Sequence, residues 1–340
     1  MIKRGVKKSF FILTGFIIAS ISMVCITVSA INAADGDAHL SAESVTIEKT
    51  DDRIILTLEG PVEIIYLGDV LTSESATVRL RENADSLIEA IETIELTGRI
   101  TFAGTDGTRA SASGATFHSN GRRLVLSGGV NFSQGSMSAS ANRIEYAIYA
   151  RQVGLSGGCV LTETSIRAEA SSAEYDLNTK FGKLSGNVIV RYQTSGILFG
   201  DEKIDEVIMR AESIQVDAVK REFRTPSDGE RTRIQAGSFI LTADSVTFRA
   251  DSTDTLKEIR AEGGVEFTGP DIRVTTDRVT LSTSDRVLRA EGNVRFRVMG
   301  QSGSAVSLEV NFADRWSVRL FGANVSGEVG EIEDVFNGDD

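Results

Sequence analysis

Ser138-Ala-Ser-Ala-Asn-Arg-Ile-Glu-Tyr146, followed by Leu155-Ser-Gly-Gly-Cys-Val-Leu161, returns as Ile166-Arg-Ala-Glu-Ala-Ser-Ser-Ala-Glu-Tyr-Asp176 followed by Leu184-Ser-Gly-Asn-Val-Ile-Val190. Ala141 maps onto Ala170 and Gly157 onto Gly186, each 29 residues further along. A fixed period of that length marks stacked supersecondary units, because one such unit cannot bury its apolar face alone.

Outward from this stretch, two half-patterns cover most of the chain. The first reads small, acidic or polar, any, apolar, any, apolar. It occurs at Ala42–Ile47, Ser73–Val78, Ala112–Phe117, Ala141–Tyr146, Ala170–Tyr175, Ala211–Val216, Ala243–Phe248, Thr276–Leu281 and, weakly, Gly303–Leu308. The second reads apolar, any, Gly, any, Val, any, apolar, and its glycines stand at 60, 98, 128, 157, 186, 263, 292 and 322. Cys159 replaces the usual Val in one copy, and the copy at Leu320–Val325 is truncated. The 77-residue step between Gly186 and Gly263 holds a degenerate copy, Glu222–Gly229.

Side chains on a strand alternate between faces, so Leu126, Gly128, Val130 and Phe132 read as one apolar face, with Ser127, Gly129 and Asn131 on the other. In the first half-pattern the phase slips: Leu241 and Ala243 share a parity that Val246 and Phe248 do not. A slip of one residue exchanges the faces unless a bulge or bend intervenes, which predicts a corner at the small residue. Polar turns such as Ser119–Arg122, Leu177–Lys180 and Ser284–Arg286 join the strands. Two antiparallel strands per repeat, spaced by about 4.8 Å, would build a rod on the order of 80 Å long. Asn83–Ile94 reads equally as a short helix or a strand extension, and Gln193–Val207 as a loop excursion.

The N-terminus opens with Lys3, Arg4, Lys7 and Lys8, then runs uncharged and apolar from Phe10 to Val28. This is an export signal, residues 1–33, either cleaved after Ala30 or Ala33 or kept as a membrane anchor. Its removal takes four positive charges and shifts the formal charge from −12 to −16. An acidic body argues against nucleic acid as a partner. With Cys25 in the leader, only Cys159 remains in the body, so no intramolecular disulfide is available. Three prolines, 32 glycines and many Val/Ile/Phe/Thr alternations describe an all-β chain.

Catalytic and metal chemistry have no footing here. His39 and His118 are far apart in sequence, and no phosphate loop, Cys-x-x-Cys, His-Glu-x-x-His or Gly-x-Ser-x-Gly is present. The acidic residue of the first half-pattern recurs from copy to copy, which fits turn and edge chemistry rather than a single active site. The chain is expected to be no enzyme, without cofactor or metal.

The repeated Ala-Glu/Asp-x-x-x-Tyr/Phe-Asp followed by Leu-x-Gly-Asn-Val, clearest at Ala170–Val190 and Thr276–Phe296, resembles the OstA-like repeat of the lipopolysaccharide-transport proteins, the family of LptA, LptC and the LptD N-terminal domain. The resemblance covers roughly 38–326, as one run or as tandem units 38–200 and 209–326, with 327–340 an acidic tail. It implies an elongated V-shaped β-jelly roll enclosing an apolar groove, located in the periplasm. The groove would be lined by Val130, Phe132, Ile144, Tyr146, Val188, Val190, Val246, Phe248, Val265, Phe267, Val294 and Phe296. It further implies passive shielding of lipopolysaccharide or a similar glycolipid, and edge-strand pairing with an inner-membrane transporter complex, an outer-membrane translocon or further copies of the chain. The competing reading is a closed β-solenoid, an envelope scaffold or adhesin stalk with a dry core.

Overall fold

A computed structural model describes residues 38–326 except 50–52, 67, 82–89, 106, 120–122, 148, 200–201, 251–255 and 313–316. The export segment and the acidic tail lie outside the described residues. Those described form 22 strands, all paired antiparallel where the pairing is described. In chain order they are β1 (Ala38–Ser41), β2 (Ser44–Lys49), β3 (Arg53–Tyr66), β4 (Asp69–Arg81), β5 (Ile91–Ala103), β6 (Arg109–His118), β7 (Arg123–Gln134), β8 (Met137–Ala147), β9 (Gln152–Glu163), β10 (Ile166–Asp176) and β11 (Phe181–Phe199). They continue as β12 (Glu202–Asp217), β13 (Glu222–Arg224), β14 (Thr232–Ala236), β15 (Phe239–Ala243), β16 (Ser245–Ala250), β17 (Leu256–Gly269), β18 (Ile272–Ser282), β19 (Val287–Val298), β20 (Gln301–Asn311), β21 (Ser317–Phe321) and β22 (Asn324–Ser326). No helix among the described residues is long and apolar enough to cross a membrane.

The chain divides into two compact units. One takes the chain up to Tyr192 together with Glu212–Phe223; the other takes Gln193–Ala211, Arg224–Asp251 and Leu256 onward. Each is built from the same local device.

That device is a bulge at the repeat glycine. Between β7 and β8, Ser127 pairs with Arg143 and Val130 with Ala141, so Gly128 and Gly129 stand opposite Asn142 alone. Two residues against one preserves the inward parity of β7 and shifts that of β8, where burial passes from Met137, Ala139 and Ala141 to Ile144 and Tyr146. The predicted corner is therefore present, but Gly128 belongs to the bulge and not to the apolar face. Its φ is +80°, a left-handed value open to glycine, and a Cβ there would lie 2.7 Å from Ser113 Cβ.

The same contact joins the two half-patterns in most copies. The residue after the small residue presses on a repeat glycine, Asn142 on Gly157, Ser171 on Gly186, Asp244 on Gly263 and Asp277 on Gly292, whereas in the last copy Val306 meets Gly322. Several of these pairs are tied by hydrogen bonds, with Ser113 Oγ donating to the Gly128 carbonyl at 2.8 Å and Ser171 Oγ to the Gly186 carbonyl at 3.1 Å. The small residue itself is buried at the bend, as Ala141 and Ala243 show. The acidic residues of the repeat thus have a structural task at the bend.

The bulges fold each sheet over. In the first unit Leu124 and Phe132, eight residues apart on β7 and so roughly 26 Å apart on a straight strand, line one small cavity with Ile100 and Phe102. In the second unit Phe267 is in register with Val274, Phe296 and Gly303 across β17 to β20, and Phe312 stands nine residues beyond Gly303. On a flat sheet that offset is about 30 Å along the strand. The Phe267 and Phe312 ring centroids are 6.4 Å apart, so the two halves of the sheet face one another.

One expectation changes, and one left open is decided for its last residues. Gln193–Val207 is not a loop excursion: Gln193–Phe199 completes β11 and Glu202–Val207 opens β12. Ile204 is buried between exposed Lys203 and Asp205, whose ion pair at 2.8 Å lies on the outer face, and Gln193 Nε2 donates to Glu206 Oε1 at 2.8 Å. Lys203 and Asp205 are the outer half of a short alternation around Ile204. Within Asn83–Ile94, Ile91 and Ile94 stand in β5, whereas 82–89 lie outside the described residues.

Candidate functional site: the apolar interior

The inward faces of the folded sheets gather apolar positions from most of the described repeats. Of the twelve candidates, eleven are buried: Val130, Phe132, Ile144, Tyr146 and Val188 in the first unit, and Val246, Phe248, Val265, Phe267, Val294 and Phe296 in the second. Val190, toward the far end of β11, is partly exposed. Each unit gathers its own six around its own interior.

Sequence reasoning left out inward residues that occupy the same repeat positions in other copies, such as Leu58, Val62, Leu96, Ile100 and Phe102. The signal for these was the repeat itself. Phe239 and Phe312 are different, since neither falls in a half-pattern. Phe239 stacks on Phe267 at 5.8 Å, and Phe312 meets Phe239 edge-on at 5.9 Å. This trio spans the second interior from one half to the other, an arrangement favoured by offset and edge-to-face aromatic geometry.

In the first interior a cavity beside Leu124 and Phe132 measures about 40 Å³, room for a few waters by volume but with an apolar lining that offers them few partners. Cys159 is buried there, its thiol donating to the Ala170 carbonyl at 3.4 Å, and burial pushes that thiol above its ordinary pKa. Burial likewise raises the Tyr192 hydroxyl. Among the described residues no group of His, Cys, Asp and Glu could hold a metal ion. Outside, charge is arranged as cross-strand pairs, for example Arg123 with Glu145 at 3.1 Å and Arg289 with Glu309 at 3.0 Å.

An antiparallel sheet folded along a line of glycine bulges around an apolar interior, with the motif that generates it, is what the resemblance anticipates. Residues 34–152 match the family described as LptA/(LptD N-terminal domain) LPS transport protein. That match covers about a third of the chain. It holds the first copies of the repeat, up to the start of β9, and the copies at Gly157, Gly186, Gly263 and Gly292 beyond it reuse the same bulge contacts. Among solved structures the chain is similar to LptH of Pseudomonas aeruginosa, the LptA homologous periplasmic component of a lipopolysaccharide transport device. The two are 17% identical over 35% of this chain and 81% of that chain, at a TM-score of 0.27, too loose a likeness to carry a fold argument. No curated protein matches the chain.

Proposed function

We propose that the chain is a periplasmic, non-enzymatic carrier that holds the acyl chains of lipopolysaccharide, or of a glycolipid like it, between the two halves of its folded sheets. The family of residues 34–152 supports involvement in lipopolysaccharide transport, and the single observation that carries the finer reading is the apolar interior of each unit with ion pairs on the outer faces. A chain of about 12 methylenes exposed to water costs on the order of 10 kcal/mol, and an interior of this composition removes that cost. The carrier supplies no energy of its own; direction comes from its neighbours.

Those neighbours join at strand edges. β2 pairs only with β3 among the described residues. Val45 and Ile47 of β2 stand in register with Leu58 and Leu56, on the core side, yet are 55% and 68% exposed. An apolar face that continues uncovered to an open edge suits a partner strand that prolongs both the ladder and the interior.

The small cavity and the phenylalanine trio favour a second reading, a dry-cored envelope scaffold. Photo-crosslinkers placed at Phe132 and Val188 in the first unit, and at Phe267 in the second, decide between them in cells. Transport predicts lipid adducts from all three. A folded, exported protein that gives none establishes the scaffold.

A further inference from the structure

In a repeat protein structural demands recur in every copy, so adjacent departures from the pattern mark something the fold itself does not need. Three residues before the repeat glycine, on the outer face, seven copies carry a side chain: Thr57, Glu95, Val125, Lys183, Arg260, Arg289 and Arg319. The eighth is Gly154. Five residues before the glycine, Phe181 is the one aromatic among the eight equivalents. These two departures meet. Gly154 pairs with Glu174, Glu174 with Lys183, and Asp176 with Phe181, so all of them share the outer face of β9, β10 and β11.

Gly154 has no reason internal to the protein. Its φ is not in the left-handed region, and a Cβ built on it meets nothing within 4 Å. The other described strand glycines of ordinary φ, Gly114, Gly182, Gly269 and Gly303, all press on a neighbour. Glycine weakens a strand interior, and in a strand it marks a place where something approaches the backbone closely. Here the approach is from outside. Gly154 and Phe181, the latter 42% exposed, line one outer concavity of about 530 Å³.

The polar groups around it are held in place. Arg143 donates to Glu145 at 3.1 Å, and Arg123 bonds the same carboxylate. Asp176 Oδ1 accepts the backbone N–H groups of Asn178 and Thr179, and its Oδ2 accepts from Gln152 Nε2 at 3.3 Å. Arg143 and Lys183 face Glu145, Glu174 and Asp176, so the charges nearly balance. A flat apolar ring beside fixed carboxylate, amide and guanidinium groups, over a floor with no side chain, suits a sugar ring, which offers an apolar C–H face and a rim of hydroxyls.

We infer that the outer concavity of β8 to β11, floored by Gly154 and edged by Phe181, is a binding site for a neutral saccharide segment. The site is separate from the apolar interior, and acyl-free sugars test it independently of the lipid reading. The probes are neutral tetrasaccharides of glucose, mannose and N-acetylglucosamine, presented at millimolar concentration to the full chain, with saturation-transfer NMR as the readout. At least one is expected to receive transfer from the wild type. Phe181→Ser and Gly154→Val are expected to weaken it about tenfold or more. Gly154→Val should at the same time raise the thermal midpoint by roughly 1–2 °C, since a β-branched residue suits a strand and only the ligand loses. No transfer to any of the tetrasaccharides, or undiminished transfer in both variants with circular dichroism unchanged, overturns the assignment.

Discussion

At the scale of single residues, the bulge glycines separate two costs that usually travel together. Gly128 and Gly129 both have φ near +80°, but only Gly128 faces a neighbour, Ser113 Cβ, at 2.7 Å from a built Cβ. Gly129→Ala should therefore cost about 1–2 kcal/mol for the left-handed backbone alone. Gly128→Ala should cost more, because Ser113 and the strand carrying it must also shift. Urea midpoints of the two variants check the ordering, and equal losses would mean the Ser113 contact contributes nothing. The Gly-x-Val half-pattern was legible as a strand face, yet the bulge was not, because Gly128 falls on the apolar parity and a glycine is silent about which way it points. Cys159 gives a second residue-scale expectation. With its thiol buried and its pKa raised, a disulfide reagent at pH 8 should react at the rate set by opening of the interior. Rapid labelling of the folded chain would place the thiol at the surface.

At the scale of elements, the repeat is most informative where it fails. β13 is three residues long, and Thr225, 1% exposed, follows it just before Pro226. Pro226 brings no backbone N–H, and the Thr225 side chain takes over part of the ladder. Its N–H donates to the Val246 carbonyl at 2.9 Å, while its Oγ accepts the Val246 N–H at 2.8 Å and the Thr232 hydroxyl at 2.7 Å. Thr232 is fully buried. Replacing Thr225 by Val keeps the shape and strands a buried N–H and a buried hydroxyl, so the second unit should lose about 2–4 kcal/mol. Adding Thr232→Val should return part of that loss by removing one stranded group, and a double mutant no better than the single would show that the hydroxyl pair is not coupled. Sequence showed only a degenerate copy at this place, since a hydroxyl standing in for a backbone donor has no periodic signature. The Gln193–Val207 stretch hid in another way: Lys203, Asp205 and Glu206 are charged enough to read as loop, and the alternation shows only once Ile204 is known to be buried.

At the scale of the molecule, the all-β architecture and its stacked repeats were readable from period, parity and turn chemistry, because each copy restates the same physical requirements. How much space those repeats leave inside was not readable, since a groove and a core call for the same inward residues. The structure has a cavity of about 40 Å³ in one unit and a phenylalanine trio across the other. A carrier must then part its two halves to take an acyl chain, and the parting has to separate Phe312 from Phe239 and Phe267, which lie on opposite halves of the second unit. The hydrophobic gain from one buried chain, about 10 kcal/mol, exceeds the roughly 0.5–1.5 kcal/mol that each aromatic contact adds beyond its burial, so opening is within reach of a multi-chain lipid. With Cys25 and Cys159 replaced by Ser, Phe267→Cys and Phe312→Cys should be joined by a short bismaleimide in the purified chain. Saturating lipopolysaccharide should slow that cross-link at least tenfold, while a control pair on neighbouring strands, such as Arg289→Cys with Glu309→Cys in register between β19 and β20, should be unaffected. Cross-linking at one rate with and without lipid would mean that the halves stay shut and that whatever the chain carries does not travel between them.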